Sequence, residues 1–214
     1  MLKKIAFGLS FVSVLVIMYG TVFPRLFKKQ AEPADSNLYG SIIRLTHDGR
    51  TFCSGTVIEH NLIVTAAHCV SISTPFGELI NNNPIDIRPN SNEDLKVTAK
   101  ALYVNPRMDY ALLIGNFSGF KTRPYTTNPG KLEAFQVEGH SFTSCGYPLN
   151  GPLYCTSETF KRRDDFAWKV EGVLLPGMSG GPTMENGVVV AVNSAVSEGS
   201  SIVAPLYNIM ENLK

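Results

Sequence analysis

The stretch that decides the fold and the chemistry of this chain is PGMSGGP, residues 176–182. Glycine at positions 177, 180 and 181 lets the backbone adopt conformations that residues with a Cβ reach only at a cost. Such a loop can project the Ser179 hydroxyl from a sharp turn while the N–H groups of Gly177 and Ser179 converge on one point. The pattern predicts a serine nucleophile beside an oxyanion hole formed by those two amides. An ordinary flexible glycine–serine loop is the alternative.

Two earlier segments, TAAHC (65–69) and MDYALL (108–113), supply the other groups that acyl transfer by serine requires. His68 follows an apolar run and adjoins a cysteine, so its position is fixed on both sides. Asp109 opens an apolar run, and a partly buried carboxylate there needs a hydrogen-bond partner such as an imidazole N–H. Alone, the aspartate would be a residue of a strand-initiating turn. Together the three segments predict a catalytic triad of His68, Asp109 and Ser179.

From Ser41 onward the chain is a series of short strand-like runs separated by turns. The predicted strands cover 41–46, 51–58, 62–66, 95–104, 109–114, 140–147, 153–160, 167–172 and 188–196. Many short strands with turns between them predict an all-β barrel or sandwich. The turn-rich passage 116–130 is typical of a connection between two half-domains. Only residues 206–214 show helical spacing of apolar residues, which predicts a C-terminal helix.

Four cysteines form two local pairs, Cys53 with Cys69 and Cys145 with Cys155. Even numbers and local pairing favour two disulfides, which persist in oxidising compartments. Four buried free thiols are the alternative. The spacing lacks the close Cys-x-x-Cys clusters of zinc sites, so we expect no metal site. Serine acyl transfer through an acyl-enzyme needs no organic cofactor, so we expect no cofactor either.

An uncharged apolar stretch runs from Ile5 to Phe23 and has basic residues on both sides. As a helix it would be about 28 Å long, close to the ~30 Å hydrocarbon core of a bilayer. Basic residues follow it directly, where a cleaved signal peptide needs a small-residue cleavage site, so we predict a signal anchor over residues 1–29. Residues 30–37 form a polar linker. The predicted disulfides place the domain outside the cytoplasm, as a single-pass membrane protein, or as a secreted one if the anchor is cut.

The composition narrows the class of partner. Hydrophobic residues make up 44% of the chain and charged residues 17%, as in globular proteins, and the formal net charge is +1. Nucleic-acid-binding proteins usually have a clustered basic surface, so we expect no nucleic-acid partner. Nothing in the pattern predicts an oligomeric state.

Together the three segments resemble the trypsin/chymotrypsin-like serine protease superfamily, whose members carry TAAHC, a D-x-A-L-L-like strand and G-x-SGGP in this order. The resemblance covers about residues 38–214. It implies two perpendicular six-stranded antiparallel β-barrels, over about 38–118 and 130–205, followed by the helix at 206–214. It places His68 and Asp109 on the first barrel and Ser179 on the second. It also matches Cys53–Cys69 to the family's disulfide beside the catalytic histidine.

The nucleophile region, residues 177–196, is most similar to high-temperature-requirement (Deg-type) and related bacterial or viral proteases. Those usually carry a C-terminal PDZ domain, and we expect none here. Trypsin-type enzymes are activated when a new N-terminus pairs with an aspartate just before the nucleophile. This chain has the uncharged Met178 at that position, so we expect no zymogen activation of that kind.

The resemblance also assigns substrate-binding residues, namely Val173, Leu174, Val192, Asn193, Ser194 and Ala195. The uncharged Val173 favours small or medium apolar side chains at P1, because a basic group would lose hydration without a partner. The strand from Asn193 to Ala195 is expected to pair with the substrate backbone by strand addition. We therefore predict a serine endopeptidase that acts on proteins or peptides through an acyl-enzyme. A catalytically silent relative and a non-peptide esterase are the alternatives.

Overall fold

A computed structural model describes residues 38–209 of the chain, apart from 39, 48, 75–76, 81–82, 90–95, 150, 198–199 and 208, and only the backbone over 72–80 and at 197. The predicted signal anchor and linker lie outside the described residues, as does most of the predicted helix 206–214. Leu206, Tyr207 and Ile209 of that segment are described, and none of them is helical. Among the described residues, no helix is long and apolar enough to cross a membrane.

The described part of the chain is almost entirely β-structure. Its strands are β1 (Ile42–His47), β2 (Arg50–Glu59), β3 (Leu62–Thr65), β4 (Ser71–Thr74), β5 (Gly77–Ile80), β6 (Ile85–Pro89), β7 (Val97–Asn105), β8 (Tyr110–Ile114), β9 (Ser141–Gly146), β10 (Tyr154–Asp164), β11 (Ala167–Glu171), β12 (Pro182–Glu185), β13 (Val188–Ser197) and β14 (Ser200–Pro205). A 3₁₀ turn, Ala67–Cys69, follows β3, and one short helix, α1, covers Pro129–Ala134.

Twelve of these strands close into two antiparallel barrels of six. The strand order is β1-β2-β3-β8-β7-β6 in the first barrel and β10-β11-β14-β13-β12-β9 in the second, while β4 and β5 form a separate two-stranded sheet. The prediction of an all-β fold with two six-stranded antiparallel barrels is confirmed. The sequence pattern does not predict β4, β5, β6, β12 or β14.

Helix α1 is also missing from the sequence-based prediction, which ends the turn-rich connection at residue 130 and assigns no element to residues 131–134. The Asn128 side chain caps the helix by accepting a hydrogen bond from the Lys131 N–H at 3.2 Å, and Pro129 occupies the first turn. Proline is tolerated there because its missing N–H would have no partner within the helix. Leu132 is fully buried and holds the helix against the domain.

Strands β3 and β8 form a layer that is buried on both faces. Ile63 and Leu113 belong to the core cluster of the first barrel, whereas Val64 and Leu112 belong to a second cluster shared with second-barrel residues such as Val192. Successive side chains of a strand point to opposite faces, so strands buried on both faces are unbroken apolar runs. This layer places His68, just after β3, and Asp109, just before β8, beside the second barrel.

Candidate active site

His68 and Asp109 are in direct contact. The His68 ring nitrogen Nδ1 lies 2.9 Å from Oδ2 and 3.0 Å from Oδ1 of Asp109, and the backbone N–H of His68 donates to Oδ1 at 3.0 Å. His68 lies in the 3₁₀ turn after β3, and the Cys53–Cys69 disulfide ties that turn to β2. The side chain of His68 is 48% exposed. The imidazole is therefore oriented by a carboxylate on one side and remains accessible.

Asp109 has a left-handed backbone with φ of 51° and ends a turn in which its N–H donates to the Pro106 carbonyl at 3.3 Å. The strand begins at Tyr110, one residue later than predicted. Besides its contacts with His68, Asp109 accepts a hydrogen bond from the Ser194 hydroxyl. Burial acts to raise the pKa of Asp109, but the hydrogen bonds from His68 and Ser194 and the His68 charge outweigh it and lower the pKa.

Ser179 reaches the same place from the second barrel. Its hydroxyl donates to the backbone oxygen of Ser194 at 3.2 Å, and Ser194 is the residue whose side chain donates to Asp109. One residue of β13 thus contacts both Asp109 and Ser179. The resemblance to known proteases predicts Ser194 only as a substrate contact. Its link to Asp109 spans 85 positions, and no local pattern indicates it.

Ser54 of β2 attaches the Ser179 loop to the first barrel. Its N–H donates to the Ser179 carbonyl at 2.7 Å, and its buried hydroxyl donates to the Gly177 carbonyl at 2.8 Å. The approach depends on Gly180, because a Cβ there would lie 2.1 Å from Thr65 Oγ1 and 2.2 Å from the Ser54 carbonyl oxygen. Gly180 also has φ of +83°, a conformation that side chains rarely adopt. Sequence reasoning misses Ser54, whose only signal is a small polar residue within an apolar strand.

The amides of the loop divide into two sets. The N–H groups of Met178, Gly180 and Gly181 donate to backbone oxygens at 2.8–3.0 Å. Those of Gly177 and Ser179 have no hydrogen-bond acceptor among the described residues. Gly177 has φ of +94°. These two amides are the pair that the sequence pattern assigns to an oxyanion hole.

The residues predicted to bind substrate lie in different environments. Val173 is 50% exposed, and Ala195 is exposed, whereas Leu174, Val192 and Asn193 are buried. The Asn193 backbone is also occupied, because its N–H and C=O bond to Gly181 and Gly180 at 2.8 Å each. All six residues stay predicted substrate contacts, and Val173, Ser194 and Ala195 are the three that are at least partly exposed. At Ala195 strand β13 pairs only with β14 among the described strands, which leaves its other edge open.

Both predicted disulfides are present. Cys53–Cys69 joins β2 to the 3₁₀ turn with Cα atoms 6.1 Å apart, and Cys145–Cys155 joins directly paired residues of β9 and β10 with Cα atoms 4.1 Å apart. Cys53, His68 and Cys69 are also the group of potential metal ligands among the described residues. The disulfide removes both thiolates, so this group does not form a thiolate metal site.

Comparisons with known proteins find a matching family and two similar solved structures. A family model for the trypsin-like peptidase domain matches residues 53–192. The active form of the Rv3671c protease from M. tuberculosis has a similar structure, with a TM-score of 0.63 at 17% identity over 86% of this chain and 86% of that chain. For the inactive form the TM-score is 0.62 at 17% identity, over 86% of this chain and 95% of that chain. No curated protein sequence matches the chain significantly.

Proposed function

The chain belongs to the family of trypsin-like peptidase domains, a family of serine peptidases, and we propose that it is an endopeptidase whose catalytic triad is His68, Asp109 and Ser179. The observation that supports this most directly is the contact set around Ser194. This residue donates to the carboxylate that orients His68 and accepts from the hydroxyl of Ser179. A carboxylate, an imidazole and a serine hydroxyl around one residue are the groups that serine acyl transfer needs.

In the proposed reaction the Ser179 hydroxyl turns from Ser194 towards His68, which removes its proton as Oγ attacks the scissile carbonyl. Asp109 accepts a hydrogen bond from the Nδ1–H of His68 and stabilises the imidazolium that forms when Nε2 takes the serine proton. The carbonyl oxygen becomes an oxyanion and accepts from the N–H groups of Gly177 and Ser179. His68 then protonates the leaving amine, which leaves an acyl group on Ser179, and water activated by His68 hydrolyses this ester.

We extend the proposal to specificity and activation. The uncharged Val173 favours small or medium apolar P1 residues, since a basic group beside it would find no partner of opposite charge there. The open edge of β13 at Ala195 suits an extended substrate strand. Faster hydrolysis of an arginine-P1 than of a valine-P1 reporter would contradict this preference. Met178 is fully buried and uncharged, so activation by pairing with a new N-terminus is not expected.

The membrane anchor over residues 1–29 remains part of the proposal, with the peptidase on the extracytoplasmic side. The two disulfides support that side, because they persist in oxidising compartments. Retention of the full-length chain in carbonate-washed membranes is the expected result. Release of the chain into the carbonate supernatant would contradict the anchor.

A fluorophosphonate probe tests the proposed nucleophile. We expect one adduct per chain on Ser179, none in Ser179→Ala, and strongly slowed labelling in His68→Ala, because the probe needs an activated serine. A folded wild-type chain that does not label would indicate a catalytically silent relative. Hydrolysis of ester reporters without any cleavage of peptide reporters would indicate an esterase.

A further inference from the structure

A line of buried polar side chains crosses the second barrel beneath the Ser179 loop. Glu158 of β10 contacts the Ser144 hydroxyl of β9 at 2.5 Å, Ser144 contacts the Thr183 hydroxyl of β12 at 2.9 Å, and Thr183 donates to Asn193 Oδ1 of β13 at 2.9 Å. All four side chains are fully buried. Burying polar groups costs free energy unless each is hydrogen-bonded, so an unbroken series across a barrel is unusual. Such a series indicates a specific role for these side chains.

The series ends at the loop that holds the proposed nucleophile. The Asn193 amide nitrogen donates to the carbonyl oxygens of Cys145, at 2.9 Å, and Met178, at 3.2 Å. The Met178 carbonyl also accepts from the Gly181 N–H at 3.0 Å. In a trans peptide the C=O and the following N–H point in opposite directions. A Met178 carbonyl held from inside the barrel therefore turns the Ser179 N–H outward, towards the place where an oxyanion would form.

The other proposed oxyanion donor is oriented in the same way by a simpler contact. The Pro176 carbonyl accepts from the Leu149 N–H at 3.0 Å, so the Gly177 N–H in the same peptide unit also points the opposite way. That contact is between backbone groups, so any side chains there can make it. The peptide between Met178 and Ser179 differs, because a specific buried side chain, Asn193, helps to hold it.

We propose that Asn193 is a positioning residue for the oxyanion hole, oriented by a hydrogen-bonded series that begins at a protonated Glu158. This inference rests on the proposed function. In this arrangement, buried side chains of the folded domain fix the Ser179 N–H, and no cleavage of the chain is needed. The uncharged Met178 leaves no ion pair to do so at that position.

Counting protons supports a neutral Glu158. The Asn193 nitrogen faces two carbonyls, so its oxygen must be the atom that faces Thr183, and the single Thr183 proton goes to it. The contact between Ser144 and Thr183 then uses the Ser144 proton. The remaining contact, between Ser144 and Glu158, needs a proton from the carboxyl group itself. Three contacts require three protons, and the two hydroxyls supply only two.

The surroundings of Glu158 agree with that count. Gly172 after β11, Ser144 on β9 and Ser201 on β14 are the groups that face the carboxyl, and none of them carries a charge. Burial raises the pKa of Glu158 to about 7. When Glu158 ionises, its carboxylate accepts a hydrogen bond from the Ser144 hydroxyl. The contact between Ser144 and Thr183 is then left without a proton.

The first test uses full-length chain with Asn193→Leu, which keeps the branched shape and the number of side-chain heavy atoms and removes the amide. We expect kcat for an apolar-P1 peptide to fall about 100-fold, because an oxyanion donor is misaligned. KM should change by less than about threefold, because ground-state binding is untouched. Thr183→Val keeps the Asn193 amide but loses its orienting hydroxyl, and we expect a fall on the order of tenfold. Thr46→Val removes a buried first-barrel hydroxyl that donates to the Asp86 carbonyl at 3.3 Å, and serves as the control for stability alone.

The second test uses the ratio of two kcat values to distinguish the pH effect of Glu158 from any effect of His68. Glu158→Gln keeps a hydrogen-bond donor to Ser144 at every pH, so its kcat should match wild type at about pH 6. The ratio of wild-type to Glu158→Gln kcat should then fall as pH rises through about 7, since His68 affects both proteins equally. A ratio that stays constant from about pH 5 to 9 would overturn the protonated Glu158.

Failure of this inference is distinct from failure of the proposed function. If wild type labels with fluorophosphonate and folded Asn193→Leu and Thr183→Val both keep kcat within about twofold of Thr46→Val, the positioning role is overturned while the peptidase stands. If Asn193→Leu does not fold, Thr183→Val decides alone. If wild type neither labels nor cleaves, both are overturned together.

Discussion

Each barrel carries a carboxyl group that is largely removed from water, and the surroundings shift the two pKa values in opposite directions. Asp109, at the edge of the first barrel, receives hydrogen bonds from the His68 N–H, the His68 ring and the Ser194 hydroxyl, and its pKa is lowered. Glu158, inside the second barrel, faces uncharged groups, and its pKa is raised to about 7. Both are removed from water to a large extent. Hydrogen-bond donors and a neighbouring positive charge thus decide whether a carboxylate stays ionised after burial.

The largest difference between the two carboxyl groups is expected when each is replaced in turn by its amide. Asp109→Asn should lower kcat by about 10⁴, because an amide favours the wrong His68 tautomer and cannot stabilise an imidazolium. Glu158→Gln, the same chemical change in the other barrel, should leave kcat at about pH 6 close to wild type. Steady-state kinetics on one apolar-P1 peptide measure both. Equal losses in the two variants would contradict the assignment of opposite charge states.

The contact between the barrels can be tested at Gly180. Gly180→Ala places a Cβ against Thr65 Oγ1 and the Ser54 carbonyl, so the Ser179 loop can no longer dock. We expect a loss of roughly 3 kcal/mol or more in the free energy of unfolding and loss of fluorophosphonate labelling. Gly187→Ala is the matched control, because Gly187 also has positive φ, +80°, but its nearest neighbour is Arg123 Nη1 at 3.9 Å. That variant should lose only about 1 kcal/mol of backbone strain and remain active.

Glu158 and Asp109 should also contribute to stability with opposite pH dependences. The folded-state pKa of Glu158 is raised from 4.5 to about 7, so its contribution is present at low pH and is lost as pH rises between those values. Relative to Glu158→Gln, wild type should lose about 3 kcal/mol of unfolding free energy between about pH 4 and 8. Asp109 has the opposite sign, because its pKa is lowered, and its contribution is lost as pH falls. Urea unfolding at several pH values measures both slopes, and a pH-independent difference for Glu158→Gln would contradict the raised pKa.

Much of the fold is predictable from local pattern. Strands such as β3 and β8 are apolar runs because both of their faces are buried, and the prediction of two antiparallel barrels is confirmed. The strands that pattern alone misses are short and begin or end in proline or polar residues, as in β6, β12 and β14. Ladder pairing with distant partners, rather than intrinsic propensity, makes those segments strands. Membership of the trypsin-like peptidase family is confirmed as well.

The site is less predictable than the fold, for a physical reason. The positions of His68, Asp109 and Ser179 follow from motifs, and the contact between His68 and Asp109 is present in the structure. The residues that arrange them, Ser54 and Ser194, act through contacts between segments far apart in the chain. A serine within an apolar strand looks the same in sequence whether it faces a partner or not. The same holds for Asn193, whose side chain faces the barrel interior, a placement that no motif indicates.

The mass of the acyl-enzyme tests directly whether Ser179 is the nucleophile. Mixing the full-length chain with an activated apolar peptide ester and quenching in acid within the first turnover should trap one acyl group per chain. Peptide mapping should place that group on Ser179, and Ser179→Ala should carry none. Turnover without any covalent adduct, or an acyl group on another residue, would contradict the proposed nucleophile and the mechanism built on it.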